Sequence, residues 1–456
     1  MIKLGSEYSV RDLQYWNEKI EEIVEASGLN PYPQEFEICN YEDMLGYEAY
    51  LGMPSRYPHW SFGKAYERQK TFYRYNLTGL PYEMVINSNP CLAYLMKDNT
   101  LLLQILTMAH VYGHNDFFRN NRMFRNGTRA EYTLEMFKSH ASRVHEYISD
   151  PSIGYARVER ILDAAHSLRL QGYRWVEEKH LSEEETKQKL LQKAQPVIRD
   201  HPLLNKKERL PLPDLNKIPL EPEEDVLWFL YQYAPLSQWE KDLLQIVREE
   251  NAYFLPQIET KIMNEGWACH WHYKLLHQLN LPQGLYIEFM KRHNQVVRPH
   301  EGSLNPYHLG FRMFEDLEKR FPEDDQTLFE IRRDERDASF IRRYLTEELC
   351  RDLHLFEYNK SGKDYVVREV ADDEGWKKIR DSLAANVGVH SIPNIKVIEY
   401  RKSDHVLVLE HEWEGRELQL QYALETIKYI ARLWRGKVRL RTVVRGNPQT
   451  LETVEE

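Results

Sequence analysis

The sequence predicts a mainly α chain with small β elements, followed by a smaller α+β domain on an antiparallel sheet. Three observations predict it. The stretch LLLQILTMAHVYGH places Leu101, Leu102, Ile105, Met108, Ala109 and Tyr112 near helical spacing, the pattern of a buried helix. Many further segments up to about residue 324 repeat that period, and Tyr82 to Asn87 (YEMVIN) reads as one short strand stopped by Ser88, Asn89 and Pro90. Beyond about Asp325, short β-rich runs alternate with helices.

Length and charge bound the function. At 456 residues the chain holds two or three domains, and a net charge of −10 with both signs mixed leaves no basic footprint for nucleic acid. Cys39, Cys91, Cys269 and Cys350 lie far apart with no CxxC, which excludes a disulfide framework or a cysteine-only zinc knot. The amphipathic N-terminus lacks the apolar core of a signal peptide, and no apolar run approaches the ~20 residues needed to span a bilayer. The expected residence is the cytoplasm.

Taken in order, Ser9 is the expected N-cap of a helix through Asp12 to Ala26, ended by Gly28 and Pro31. A second helix opens at Asn40 or Tyr41. The following segment is dense in aromatic residues with Arg56, His59, Lys64, Arg68 and Arg74 interleaved. It reads either as a surface for a polymer or anion, with His59 in contact, or as an extended wrap of core aromatics with snorkelling cations. The strand at Tyr82–Asn87 is either a substrate-pairing edge, with Tyr82 and Asn87 at its ends, or a plain sheet edge.

At the end of the buried helix, His110 and His114 stand four apart, so both imidazoles share one face, about 5–6 Å apart at Cβ. Two neutral imidazoles so placed grip one zinc-sized ion; the same spacing also serves two core histidines bonded to carboxylates. Asp116, two residues on, is a candidate partner to a ligand or an acid/base group. Helices follow at about Arg129–Ser149 and Gly154–Arg169. The second carries Glu159, Asp163 and His166 on one face, either a line of salt bridges or reserve ligands for a di-iron site. Residues 175–225, charged and then proline-rich, read as an excursion from the core.

The second half of the proposed site is IETKIMNEGWACHWHYKLL, where Glu265, Cys269 and His272 share a helical face. The small residues Gly266 and Ala268 admit a close neighbour helix. Glu265 then either completes a His₂Glu site with His110 and His114, or pairs with Arg292 or Arg298. Asn264, His272 and Glu259 are the expected supports of the ligands. The domain boundary is expected at 324/325. It is followed by a charged helix from Arg332 to Cys350, strands, helices at Glu374–Asn386 and Gln421–Trp434, and a mobile tail, TLETVEE.

Together, PHWSFGK, YEMVINSNPCLAYLMKDNT, HVYGHNDFF, KIMNEGWA, RHNQVVRP and LNPYHLGF resemble the stage V sporulation protein R (SpoVR) family over nearly the whole chain. The resemblance implies a role in sporulation, through formation of the spore cortex, a peptidoglycan layer. Among non-sporulating relatives it implies a serine-kinase-like AAA+ protein and a von Willebrand A-type protein as partners. A looser likeness, a histidine pair followed by NEGxA, is similar to gluzincin metallopeptidases. It implies a zincin-like α+β core, zinc on His110, His114 and Glu265, and a peptide or peptidoglycan-related substrate. Gluzincins carry a glutamate after the first histidine. Here Val111 stands there, so the base is sought among Asp116, Glu259 and Glu83. The alternative is a non-catalytic regulator or scaffold with a degenerate peptidase fold.

Overall fold

The computed structural model describes residues 8–74, 83–172, 174, 181–194, 213–300, 303–322, 325–361 and 364–453. The chain forms two compact units, residues 1–146 with 252–391 and residues 147–251 with 392–456. The boundary expected at 324/325 therefore moves to 391/392, and the middle of the chain joins the C-terminal part.

The chain opens with α1 (Val10–Ala26), β1 (Gln34–Cys39), α2 (Tyr41–Ala49) and α3 (Trp60–Arg74). Ser9 caps α1 and Asn40 caps α2, each in a reciprocal capping box with the aspartate three residues on. Over Trp60–Arg74 the aromatic and basic segment is not an extended wrap. From Trp60 it is helical, because Ala65, Glu67, Arg68, Gln69 and Lys70 are good helix formers. Arg56 is buried, its guanidinium 4.7 Å from the centroid of the Phe62 ring.

Next come β2 (Glu83–Ile86) and β3 (Cys91–Met96), then α4 (Leu101–Asn120), α5 (Arg122–Gly127) and α6 (Thr133–Ser149). In sheet order β1-β3-β2, β1 runs parallel and β2 antiparallel to β3, which leaves β2 at an edge. β3 is buried along Cys91–Leu95 and carries no alternation, as a central strand covered on both faces requires. Thr100 caps α4, whose residues from Leu101 to Phe118 are all buried. A helix apolar on every side belongs in the middle of a core, and α4 occupies it.

The second unit takes α7 (Tyr155–Leu168), α8 (Glu183–Lys193) and α9 (Val226–Tyr233), and α10 (Gln238–Glu259) carries the chain back to the first. There follow α11 (Lys261–Gln278), α12 (Gln283–Val296), α13 (Pro306–Arg320), α14 (Asp325–Asp334), α15 (Asp337–Tyr344) and α16 (Glu347–Asp352). The single charged helix expected over Arg332–Cys350 is thus three short ones. Asp337 accounts for one break: its carboxylate accepts from the backbone N–H groups of Ile262 and Met263 at 2.9 Å, capping α11 from outside. Thr346, as N-cap of α16, accounts for the other.

β4 (Phe356–Ser361) and β5 (Asp364–Val370) form their own two-stranded sheet beside α17 (Gly375–Ala385), still in the first unit. The second unit finishes with β6 (Ile395–Arg401), β7 (Val406–His411), α18 (Leu420–Trp434), β8 (Lys437–Val444) and β9 (Asn447–Thr453), in sheet order β6-β7-β8-β9. The sheet is antiparallel except for β7–β8, which are parallel because α18 carries the chain back before β8 begins. Most of the tail expected to be mobile is strand β9, paired with β8 from Val438↔Thr453 to Val444↔Asn447. Among the described residues, no helix is long and apolar enough to cross a membrane.

Candidate metal centre

Three helices approach closely because glycine and alanine line their contacts. A Cβ on Gly113 of α4 would lie 2.7 Å from the Cα of Ala268 on α11. A Cβ on Gly266 of α11 would lie 2.5 Å from the Cα of Gly310 on α13. Any larger side chain would part the helices, so backbone meets backbone there. Beside these contacts the side chains of His110 and His114 face those of Glu265, Cys269 and His272, as one-face spacing on each helix requires.

The ligand atoms converge. His110 Nε2 and His114 Nε2 are 3.0 Å apart, and Glu265 Oε2 lies 3.9 and 3.5 Å from them. A point equidistant from three atoms so spaced is about 2.0 Å from each, the zinc–nitrogen and zinc–oxygen bond length. Glu265 Oε2 is buried and has no hydrogen-bond partner. A carboxylate oxygen left so, aimed at two imidazole nitrogens, has the donor set that a divalent cation satisfies. Burial opposes the charge on Glu265, but His110 and His114 outweigh it and hold the carboxyl below its usual range. Burial first, and His110 second, push His114 down to about 4, so its imidazole is neutral and free to ligate at neutral pH.

Two of the three expected supports, Asn264 and His272, adjoin the imidazoles, and Glu259 does not. His114 Nδ1 is 2.9 Å from Asn264 Oδ1, and His110 Nδ1 is 2.9 Å from His272 Nδ1. Two neighbours were not singled out by spacing. Tyr307, near the N-terminus of α13, stacks on His110 with ring centroids 6.3 Å apart and hydrogen-bonds Glu265. The charge of Glu265 and burial raise its phenol well above the ordinary range, so it stays protonated and donates. His293 of α12 lies 2.8 Å from His272. The one available signal was their placement in the blocks RHNQVVRP and LNPYHLGF.

The three candidate bases separate. Glu83, on the edge strand β2, interacts electrostatically with both His110 and Glu265; burial first, then Glu265, raise its carboxyl. Asp116 is engaged elsewhere: it accepts from the Asn30 N–H and the Trp267 indole, each at 2.8 Å, and lies 3.5 Å from buried Arg332. Glu259 pairs with Arg336 at 2.9 Å and accepts from the Val389 N–H at 2.8 Å. Both are held by structural partners, and neither belongs to a convergent ligand group among the described residues.

The remaining residues fall as follows. Glu159, Asp163 and His166 lie on α7 in the second unit and enter neither of the two convergent groups among the described residues, His110–His114–Glu265 and His110–Cys269–His272. Arg292 pairs with Glu288, not with Glu265. The Asn87 side-chain amide is buried and donates to Thr128 Oγ1 at 2.8 Å, and its backbone N–H donates to the Tyr253 hydroxyl. His59 is buried, 2.7 Å from Ser61 Oγ. Tyr82 lies outside the described residues.

Comparison with known proteins follows this geometry. No solved structure matches the chain. A relative from Escherichia coli (strain K12), named "Uncharacterized protein YcgB", is 32% identical over 471 residues, covering 94% of this chain and 91% of the relative. The family described as "SpoVR like protein" matches residues 7–392, and "SpoVR-like C-terminal domain" matches residues 393–445. With both matches running in sequence along one chain, this protein belongs to the SpoVR family, whose name ties it to sporulation.

Proposed function

We propose that this chain is a zincin-like, zinc-dependent hydrolase of amide bonds, acting on a peptide or peptidoglycan-related substrate in formation of the spore cortex. The observation that carries the reading is the meeting of His110 Nε2, His114 Nε2 and the unpartnered Glu265 Oε2 at 3.0, 3.5 and 3.9 Å. Zinc held by His110, His114 and Glu265 would supply a Lewis acid for a substrate carbonyl and a water acidic enough to lose its proton near pH 7. The protein's own groups do the rest. Glu83 accepts that proton, in the role for which Val111 is unfit. Tyr307 keeps Glu265 oriented. The edge strand β2 pairs with an extended substrate backbone.

A second reading is favoured by Val111, which is fully buried, and by the engagement of Asp116 and Glu259 elsewhere. In it the same site is structural. The chain is then a scaffold for a peptide or for the AAA+ kinase-like and von Willebrand A-type partners.

One set of measurements separates the two. Metal-stripped full-length protein is titrated with zinc and assayed on stem-peptide amides. The hydrolase reading expects one equivalent of zinc, lost in His110→Ala and Glu265→Gln. It also expects Glu83→Gln to keep the zinc while its rate falls about 10²–10⁴-fold. Zinc binding with no Glu83-dependent hydrolysis establishes the scaffold reading; wild-type protein that takes up no zinc refutes the metal centre.

A further inference from the structure

Behind the proposed ligands, four imidazoles stand in a continuous chain. His114 Nε2 meets His110 Nε2 at 3.0 Å, His110 Nδ1 meets His272 Nδ1 at 2.9 Å, and His272 Nε2 meets His293 Nδ1 at 2.8 Å. All four are buried. A neutral imidazole carries one proton, so each contact in such a chain fixes the direction of the next.

Protons can be distributed along the chain in two consistent ways. In one, His293 Nδ1 donates to His272, His272 Nδ1 donates to His110, and His110 Nε2 donates to His114. In the other, the two donors behind His110 are reversed, with His110 Nδ1–H pointing at His272 and His272 Nε2–H at His293, while the proton of His114 stays on Nδ1. Only the second leaves His110 Nε2 with a bare lone pair beside that of His114 Nε2. His114 Nδ1 faces the Asn264 carbonyl oxygen, an acceptor, so its Nε2 is bare in both arrangements, and the second sets two lone pairs face to face where a cation fits between them.

The site of His293 shows separately why its bond to His272 matters. Its ring is enclosed by Tyr273, Phe311 and Phe289, with centroids at 4.7, 4.9 and 6.2 Å. An apolar side chain fills such a pocket without the cost of burying a polar ring. An imidazole earns its place there by the bond to His272.

We propose that His272 and His293 are positioning residues that hold the proton of His110 on Nδ1 and so present its Nε2 to a cation, with His293 as the terminal acceptor. The inference rests on the metal-centre reading above. The usual partner of a ligating imidazole is a carboxylate or carbonyl, which raises its basicity. A neutral imidazole relay orients His110 with less added negative charge and leaves a bound cation more electrophilic.

The test uses full-length protein, zinc competition against a chromogenic chelator, and ¹⁵N-histidine NMR of the zinc-loaded state. His293→Leu fills the aromatic pocket without an acceptor and is expected to weaken zinc binding about tenfold, at the low end for such supporting residues. His293→Asn places a carbonyl oxygen near the Nδ1 position and is expected to restore affinity to within roughly threefold of wild type. In the wild type, both His272 and His293 are expected to carry their proton on Nε2. That readout stands even if His293→Leu fails to fold. Wild-type zinc affinity in His293→Leu, or a proton on His293 Nδ1 in the loaded protein, overturns the relay and leaves the metal centre intact. So does a second equivalent of zinc that disappears in Cys269→Ser, because His272 Nδ1 would then be a ligand. Wild type that binds no zinc overturns the metal centre and the relay with it.

Discussion

Gly113→Ala tests the step on which the site depends, the close approach of α4 and α11. The added methyl would lie 2.7 Å from the Cα of Ala268 and 3.3 Å from its Cβ. Carbon atoms rest at about 3.5–4.0 Å, so the helices must part by roughly 1 Å. Neither helix has a free side to yield into, since both are buried, and overpacking of this kind costs about 1–3 kcal/mol. The same displacement carries His110 and His114 away from Glu265. Adding 1 Å to the 3.5 and 3.9 Å separations moves the equidistant point from about 2.0 Å to about 2.5 Å from each atom, beyond a zinc bond. Urea unfolding of metal-free protein reads the stability loss, and zinc competition reads the affinity. Gly63→Ala is the control, because a Cβ at this α3 position meets nothing within 4 Å. It is expected to gain roughly 0.5–1 kcal/mol from helix propensity and to leave zinc binding unchanged. Gly113→Ala protein as stable as wild type, with undiminished zinc affinity, would refute the argument from close packing.

Two further outcomes follow from buried groups near the site. His270 is buried, its Nε2 has no hydrogen-bond partner, and burial pushes it down to about 4. The unfolded chain therefore binds the proton more readily than the folded one between about pH 6.5 and 4, and this contribution to stability falls as pH falls through that window. His270→Phe, with its ring stacked on Trp267 and tilted against Phe314, is expected to match wild type at pH 7 and to exceed it by roughly 2 kcal/mol at pH 5 in urea melts. Equal stabilities at pH 5 would contradict it. Asp116→Ala leaves Arg332 buried without its carboxylate and is expected to cost about 3–5 kcal/mol while zinc stoichiometry stays at one. A variant of wild-type stability that loses hydrolysis would instead return Asp116 to the list of bases.

The helices α1, α2, α4 and α11 were legible because each carries its own signal: a cap, a period or a stop within a few residues. Strand β3 was not, since CLAYLM has no alternation, and a continuous apolar run is common to buried strands and helices. The charged run over Arg332–Cys350 reads as one helix, but it is broken where Asp337 is drawn to the N–H groups of Ile262 and Met263, some seventy residues away in the chain. The parallel β7–β8 pair likewise depends on where the crossover helix lays the chain down, which strand composition does not encode.

By itself the sequence determined which residues share a helix face: His110 with His114, and Glu265 with Cys269 and His272. That follows from a 3.6-residue period acting within one element. Only the tertiary structure decided that the two faces meet, that Glu83 comes within electrostatic reach of them while Asp116 and Glu259 pair elsewhere, and that His293 and Tyr307 stand behind the ligands. Those outcomes rest on contacts between residues far apart in sequence. The glycine and alanine that permit them carry no side-chain chemistry to announce the partner they admit.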